Sequence, residues 1–228
     1  FKIKNNKFLK SWIKKKSEKI LIKKLIQWHL DKQWKDIKNF AKLCNVNLIG
    51  DLPFYVSWDS ADVWSNKSLF SIFKNGTLIF QSGVPPDYFS STGQLWGTPT
   101  YFWSKHKNTN FYWWRNRFKR QFELMDLLRF DHFRGLAGYW RVNGNSKTAI
   151  SGKWISSPGR SLLNKLKIDL RTEYLPIIAE DLGVITPDVE KLRKNFKLPG
   201  MKILQFAFDG NKDNPYLPRN INGENWVV

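Results

Sequence analysis

The chain has 228 residues, 42% of them hydrophobic, enough for one sizeable domain and short of two ordinary ones. Its formal charge of +19 invites a polyanion partner, but the excess concentrates before residue 48, in runs such as "SWIKKKSEKILIKK", while the middle is near balance. That distribution fits a solvated basic face, or coding drift towards Lys, Asn and Ile, better than a specific nucleic-acid reader, and no apolar run is long enough to span a bilayer.

Residues 7 to about 44 place Trp34, Ile37, Phe40, Ala41 and Cys44 at three-to-four spacing, which predicts a helix. Cys44 is the only cysteine, so a disulfide framework and a cysteine-based metal cluster are excluded; a buried packing role is expected of it. Trp12, Trp28 and Trp34 are expected to be core or interface filler. A short apolar run, "VNLIG", then ends at Asp51. The same pattern returns in "FELMDLLRFDHFRG", where "LLRF" ends at Asp131, and in "EYLPIIAEDLG", where "IIA" ends at Glu180 and Asp181. "GMKILQFAF" is a fourth predicted strand, and "WVV" opens a fifth. Helical segments lie between, as in "TPDVEKLRKNF", where Thr186 suits the N-cap and Pro187 the first turn.

Helices alternating with short, wholly apolar strands predict an α/β fold with a parallel sheet covered on both faces. No glycine-rich phosphate loop follows a strand, which disfavours a nucleotide-binding doubly wound sheet. Strands that end in carboxylates favour a (β/α)8 barrel, where chemistry gathers at the C-terminal strand ends. Residues 59–118 interrupt the pattern with a long aromatic and Gly/Pro-rich excursion, including "SGVPPDYFSSTGQLWGTPTYFW". A connection of that length is expected to be functional.

Asp131 and Glu180 are the central pair. Cleaving a glycosidic bond takes two carboxyl groups, one at the anomeric carbon and one to protonate the leaving oxygen, in environments that keep one ionised and the other protonated. Arg129 precedes Asp131 by two positions, so a strand puts both on one face and the cation keeps the carboxylate charged. Glu180 has no such cation near it in sequence, which suits an acid. The alternative is a pair of strand-end carboxylates capping helix N-termini. In the excursion, Asp87, Tyr88, Phe89, Gln94 and Trp96 offer rings for sugar C–H faces and polar groups for hydroxyls. His29, His106 and His132 lack metal-ligand spacing; the first two are expected at the surface, and His132 at the end of its strand. No serine sits in a G-x-S-x-G turn.

Five stretches in order, "GDLPFYVSWDSADVW", "GVPPDYFSSTGQLWG", "LLRFDHFRG", "IIAEDLGVITPDVEKLR" and "PGMKILQFAFDGNKDNPYLP", resemble the amylomaltase family, the 4-α-glucanotransferases or disproportionating enzymes of bacteria and plastids. The likeness runs from about residue 30 to the carboxyl end. It implies that residues 1–228 are part of a (β/α)8 TIM barrel, its middle strands, with 59–118 as an inserted substrate-loop region and the first and last strands missing. It also implies no cofactor and no metal, and transfer of α-1,4-glucan segments between maltooligosaccharides, starch or glycogen-type glucans, in the cytoplasm or a plastid stroma. A hydrolase of the same barrel type, or a non-catalytic glucan-binding remnant, is the alternative. Asp131 then matches the nucleophile and Glu180 the acid/base. Arg129 and His132 lie at the same sugar, Asp51 and Asp181 line the donor site, and Asp87, Tyr88, Phe89, Gly93, Gln94 and Trp96 form an arching loop.

Two departures stand out: Ser91 replaces the usual Glu of "SETGQ", and Trp58 replaces a His or Tyr, so acceptor handling is expected to differ. Starting at Phe1 and stopping within "ENWVV", the chain is expected to be a fragment. The family's third acid, in a "THDN" motif, would fall just past Val228, so the span alone is expected to be inactive.

Overall fold

The computed structural model describes residues 6–87, 90–183, 185–221 and 226–227. Two helices, α1 (Asn6–Lys15) and α2 (Ser17–Leu43), precede strand β1 (Ile49–Pro53) and the short helix α3 (Ala61–Ser65). Strands β2 (Phe80–Val84) and β3 (Gln94–Pro99) follow, then helices α4 (Trp103–Asn108) and α5 (Tyr112–Leu124). Next come β4 (Leu127–Asp131), β5 (Gly138–Asn143), β6 (Gly152–Ser156), α6 (Gly159–Leu170), β7 (Ile177–Ala179) and α7 (Pro187–Asn195). Two-residue strands β8 (Gly200–Met201) and β9 (Trp226–Val227) pair in parallel.

The three runs that end in carboxylates are neighbours. They form a parallel sheet in the order β1-β4-β7, with Asp51 beside Arg129, Pro53 beside Asp131 and Phe130 beside Ala179. Period-two alternation splits β4 cleanly. Leu128 and Phe130 are wholly buried, while Arg129 and Asp131 turn to the other, half-exposed face. The apolar face packs against α5, whose Trp114 and Phe118 recur at i, i+4; the Phe118 and Phe130 rings lie 5.4 Å apart and nearly parallel. Leu162, Leu163 and Leu166 of α6 extend the same core. This is an α/β fold with helices on a parallel sheet, and among the described residues that sheet is open.

A second sheet, antiparallel in the order β3-β2-β5-β6, is built from both sides of β4. The excursion at residues 59–118 is thus no free loop: its strand β2 pairs with β5, which lies beyond Asp131.

Several expectations are corrected. Helix α2 forms, but Ala41 is its one residue buried in the core, and Ile37 and Phe40 are 51% and 68% exposed. Trp34 is held, its indole N–H donating to the Leu124 carbonyl at 2.9 Å, whereas Trp28 stands in solvent under the Lys32 ammonium. Cys44 is exposed because it follows the last packed turn, at the C-cap. His106 is fully buried, not at the surface: α4 turns it towards Phe70, Tyr101 and Trp113, and Nε2 lies 3.2 Å from the Leu69 carbonyl. His29 is exposed, as expected. "GMKILQFAF" is a strand only over Gly200–Met201 and then coils into a 3-10 turn at Leu204–Ala207. Thr186 occupies the N-cap of α7 with Pro187 after it, but its hydroxyl makes no capping hydrogen bond.

Candidate active site

The C-terminal ends of β4 and β7 form the floor of a pocket of about 490 Å³, and the β2–β3 loop forms one wall. Strand pairing places the acidic residues. Because β4 and β7 run in parallel, the Glu180 backbone N–H donates to the Phe130 carbonyl at 3.1 Å, and Glu180 emerges level with the turn after Asp131. Its side chain folds back onto that turn. Oε2 accepts from the His132 backbone N–H at 2.8 Å and Oε1 from the Leu182 N–H at 3.0 Å.

His132 makes this possible. It adopts a left-handed conformation, φ 55°, at the N-cap of a 3-10 turn over Phe133–Leu136, so that its own amide meets the carboxyl while the Phe133 N–H donates to the Glu180 backbone carbonyl at 3.2 Å. Burial raises the Glu180 pKa against the pull of those two amides, and the nearby Asp131 charge raises it further. The site therefore holds a carboxyl that keeps its proton to higher pH than a free glutamic acid does.

Asp131 sits in a different environment. The Arg129 guanidinium forks between two carboxylates, Nη2 donating to Asp131 Oδ1 at 2.9 Å and Nη1 to Asp51 Oδ1 at 2.6 Å. The period-two expectation for Arg129 and Asp131 is realised as a direct ion pair. The half-buried His132 imidazole lies against Trp96, edge-on at 4.9 Å, and Tyr55 at 5.8 Å. Burial and then the Arg134 cation hold its pKa down to about 4, so it is neutral near pH 7.

The loop wall is stiffened from within. The Ser90 N–H donates to Asp87 Oδ1 at 2.8 Å and the Ser90 hydroxyl to the Gly93 carbonyl at 2.8 Å. Gly93 has φ 67°, and a Cβ there would lie 2.4 Å from the Val84 carbonyl oxygen, so only glycine lets the loop turn against β2. Trp96 is 38% exposed, with its indole N–H 3.4 Å from Gln94 Oε1.

Of the singled-out residues, the structure gathers Asp87, Gln94, Trp96, Arg129, Asp131, His132 and Glu180 around one pocket. Gly93 shapes it from behind, and Asp51 reaches it through Arg129. Asp181 is not among its walls. It is buried with Arg193, 3.1 Å away, and accepts from the Met201 N–H at 2.8 Å. Tyr88 and Phe89 lie outside the described residues. Trp58 is not a wall of this pocket either.

Among the pocket residues that escaped the sequence reading are Tyr55, Arg134 and Trp154. The Arg134 guanidinium lies 4.1 Å from the Trp154 ring centre, a cation–π pair in the pocket lining. Arg134 stood in the quoted "LLRFDHFRG". Trp154 comes from the second sheet and had no local cue. Among the described residues no cluster of His, Cys, Asp and Glu is arranged to hold a metal ion, and no helix is long and apolar enough to cross a membrane.

A family model described as 4-alpha-glucanotransferase matches residues 1–228. The 4-alpha-glucanotransferase of Synechocystis sp. is 46% identical over 221 residues, covering 96% of this chain and 44% of that protein. The chloroplastic/amyloplastic 4-alpha-glucanotransferase of Arabidopsis thaliana is 48% identical over 194 residues, covering 85% of this chain and 33% of that protein. Among solved structures, the amylomaltase from Streptococcus agalactiae in complex with acarbose superposes with a TM-score of 0.92 at 37% identity, over 99% of this chain and 45% of that one. The chain spans less than half the length of these relatives.

Proposed function

We propose that this chain, which belongs to the 4-alpha-glucanotransferase family, carries the nucleophile and the acid/base of an enzyme that moves α-1,4-glucan segments between maltooligosaccharides. The observation that carries the reading is the pairing of two carboxyl groups in different electrostatic settings, Asp131 on a guanidinium and Glu180 half-buried, where desolvation outweighs its two backbone amides.

In this reading the Asp131 carboxylate attacks the anomeric carbon of the donor sugar while Glu180 protonates the departing glycosidic oxygen. The bond to the leaving chain breaks and a glycosyl ester on Asp131 forms. Glu180, now a carboxylate, takes the proton from the 4-hydroxyl of an incoming glucan, which displaces Asp131. Two inversions retain the α configuration. Arg129 holds Asp131 in line, and neutral His132 packs beside Trp96 without competing for the proton. The Asp87–Trp96 loop supplies rings and amides to the glucan and keeps water from the ester, favouring transfer over hydrolysis.

The span 1–228 is read as the middle strands of a (β/α)8 barrel, since it superposes on the S. agalactiae amylomaltase, with 59–118 as the substrate-loop region. Starch, glycogen-type glucans and their oligomers are the expected substrates, with no cofactor. Cyanobacterial and plastid relatives make cytoplasm and plastid stroma the expected compartments.

The test is incubation of the full-length protein carrying this chain with maltotriose. Glucose together with longer oligomers is expected; reducing ends without elongation would mean a hydrolase, and no reaction would refute the proposal. Asp131→Asn is expected to lower transfer by several orders of magnitude.

A further inference from the structure

The two acids at the end of β7 take opposite directions. Glu180 turns into the catalytic pocket, while Asp181 turns away from it into the protein. The Asp181 side chain is 7% exposed, and that of its partner Arg193, on α7, 4%. Asp181 uses both oxygens: Oδ2 lies against Arg193 Nε, and Oδ1 accepts from the Met201 N–H of β8. Arg193 is itself tied down. Its Nη1 donates to the Leu198 carbonyl at 3.1 Å, and its own carbonyl accepts from the Leu198 N–H at 3.2 Å. One carboxylate thus joins the end of β7 to α7 and β8.

Stability does not account for a charge in that place. A buried ion pair seldom recovers the hydration it gives up. Burial raises the Asp181 pKa, outweighing the Met201 amide and the Arg193 cation that lower it. A carboxyl whose folded pKa is raised costs the fold stability once it ionises, so this one is retained for direction and not for strength.

The direction it sets is that of the neighbouring acid. The backbone here is held alternately from two sides. The Ala179 N–H donates to the Pro199 carbonyl at 2.8 Å, in the segment between α7 and β8, and the Glu180 N–H to β4. The Asp181 side chain takes a second grip on the α7–β8 segment. Directly after it comes the Leu182 N–H, one of the two amides that hold the Glu180 carboxyl. With Asp181 gripped on one side, the Asp181–Leu182 peptide is aimed at Glu180 on the other.

We propose that Asp181 is a positioning residue for the acid/base: gripped by Arg193 and the Met201 amide, it fixes the Leu182 amide on Glu180 and so aims that carboxyl at the glycosidic oxygen. The inference rests on the transferase reading above, and it replaces the expected donor-site contact of Asp181 with a role exerted through Glu180.

The test uses the full-length protein carrying this chain with Asp181→Ala, Asp181→Asn and Arg193→Lys. Maltotriose has a leaving oxygen that needs a proton. With it, kcat is expected to fall roughly 100-fold for Asp181→Ala, the loss brought by a displacement of about 1 Å, with KM within about threefold of the parent. Asp181→Asn keeps an acceptor for the Met201 N–H and should lose roughly tenfold, and Arg193→Lys, which keeps the charge, no more than that. With α-maltosyl fluoride the leaving group needs no acid and Asp131 on β4 is undisturbed. The first equivalent of fluoride should therefore leave each variant at a rate within about threefold of the parent. A side chain that only supports the fold would slow both substrates alike, in step with the folded fraction in a urea melt. Should Asp181→Ala not fold, the same split between the two substrates in Asp181→Asn decides. Equal losses on both substrates, or a maltotriose kcat within about threefold of the parent, would overturn the positioning role and leave the transferase reading intact. An unmutated protein that does not elongate maltotriose would overturn that reading, and the role with it.

Discussion

Replacing Arg129 by methionine separates the positioning of the proposed nucleophile from the stability of the fold. The guanidinium holds Asp131 at 2.9 Å and Asp51 at 2.6 Å, and the three side chains are 31%, 40% and 58% exposed. Water screens pairs this open, so their loss costs folding about 1 kcal/mol or less. Catalysis should suffer far more. Removing one charge-directed donor from a reacting group typically costs 10²–10³ in rate, so we expect kcat for maltotriose to fall roughly 100- to 1,000-fold. The same cation also lowers the Glu180 pKa, so without it the carboxyl is protonated to higher pH and the alkaline limb of the pH–rate profile moves up. The assay is kcat, KM and pH profile beside a urea melt. Activity within about threefold of the parent, or a loss that tracks unfolding, would refute the reasoning. Asp51→Asn is the control: it leaves Arg129 on Asp131, and a fall under about tenfold is expected because only the second arm of the fork is lost.

Two further predictions concern the scaffold. Burial depresses the His106 pKa from 6.5 to about 4. Between those values the unfolded chain binds a proton that the folded chain refuses, so stability is complete above pH 6.5 and falls as the pH drops through the window. The contribution is roughly 3 kcal/mol. His106→Phe, which cannot titrate, should flatten the slope of urea-melt stability against pH between 6.5 and 4 relative to the parent, and an unchanged slope would contradict it. Gly93→Ala forces a Cβ against the Val84 carbonyl at a positive φ, which costs about 1–3 kcal/mol locally. We expect a raised KM for maltotriose from a displaced loop, checked by steady-state kinetics; unaltered KM would show the turn does not shape the pocket.

The parallel strands were legible because each is a short apolar run closed by a carboxylate, and period two alone puts Arg129 and Asp131 on one face. The stretch "PPDYFSSTGQLWG" could be connected to the site because its glycines and aromatics fall close together in sequence. The second sheet was not legible. β2 and β5 pair across β4, a contact 62 residues apart between Gln81 and Asn143, and nothing local announces it. Trp154 was missed for the same reason. His106 misled because Lys105 and Lys107 flank it and suggest solvent, while Phe70 and Tyr101, which enclose it, arrive from distant segments. The stripe on α2 obeys helical spacing, yet among the described residues Ile37 and Phe40 remain uncovered: periodicity reports an apolar face and not what it meets.

The central claim is that Asp131 forms a glycosyl ester and Glu180 drives its formation and breakdown. Glu180→Gln in the full-length protein, given 5-fluoro-α-glucosyl fluoride, tests it most directly, because fluoride leaves without an acid while the ester then lacks its base. Peptide mass spectrometry should find one fluoroglucosyl group on the peptide containing Asp131. An adduct on another residue, or none from a protein whose unmutated form elongates maltotriose, would contradict the account.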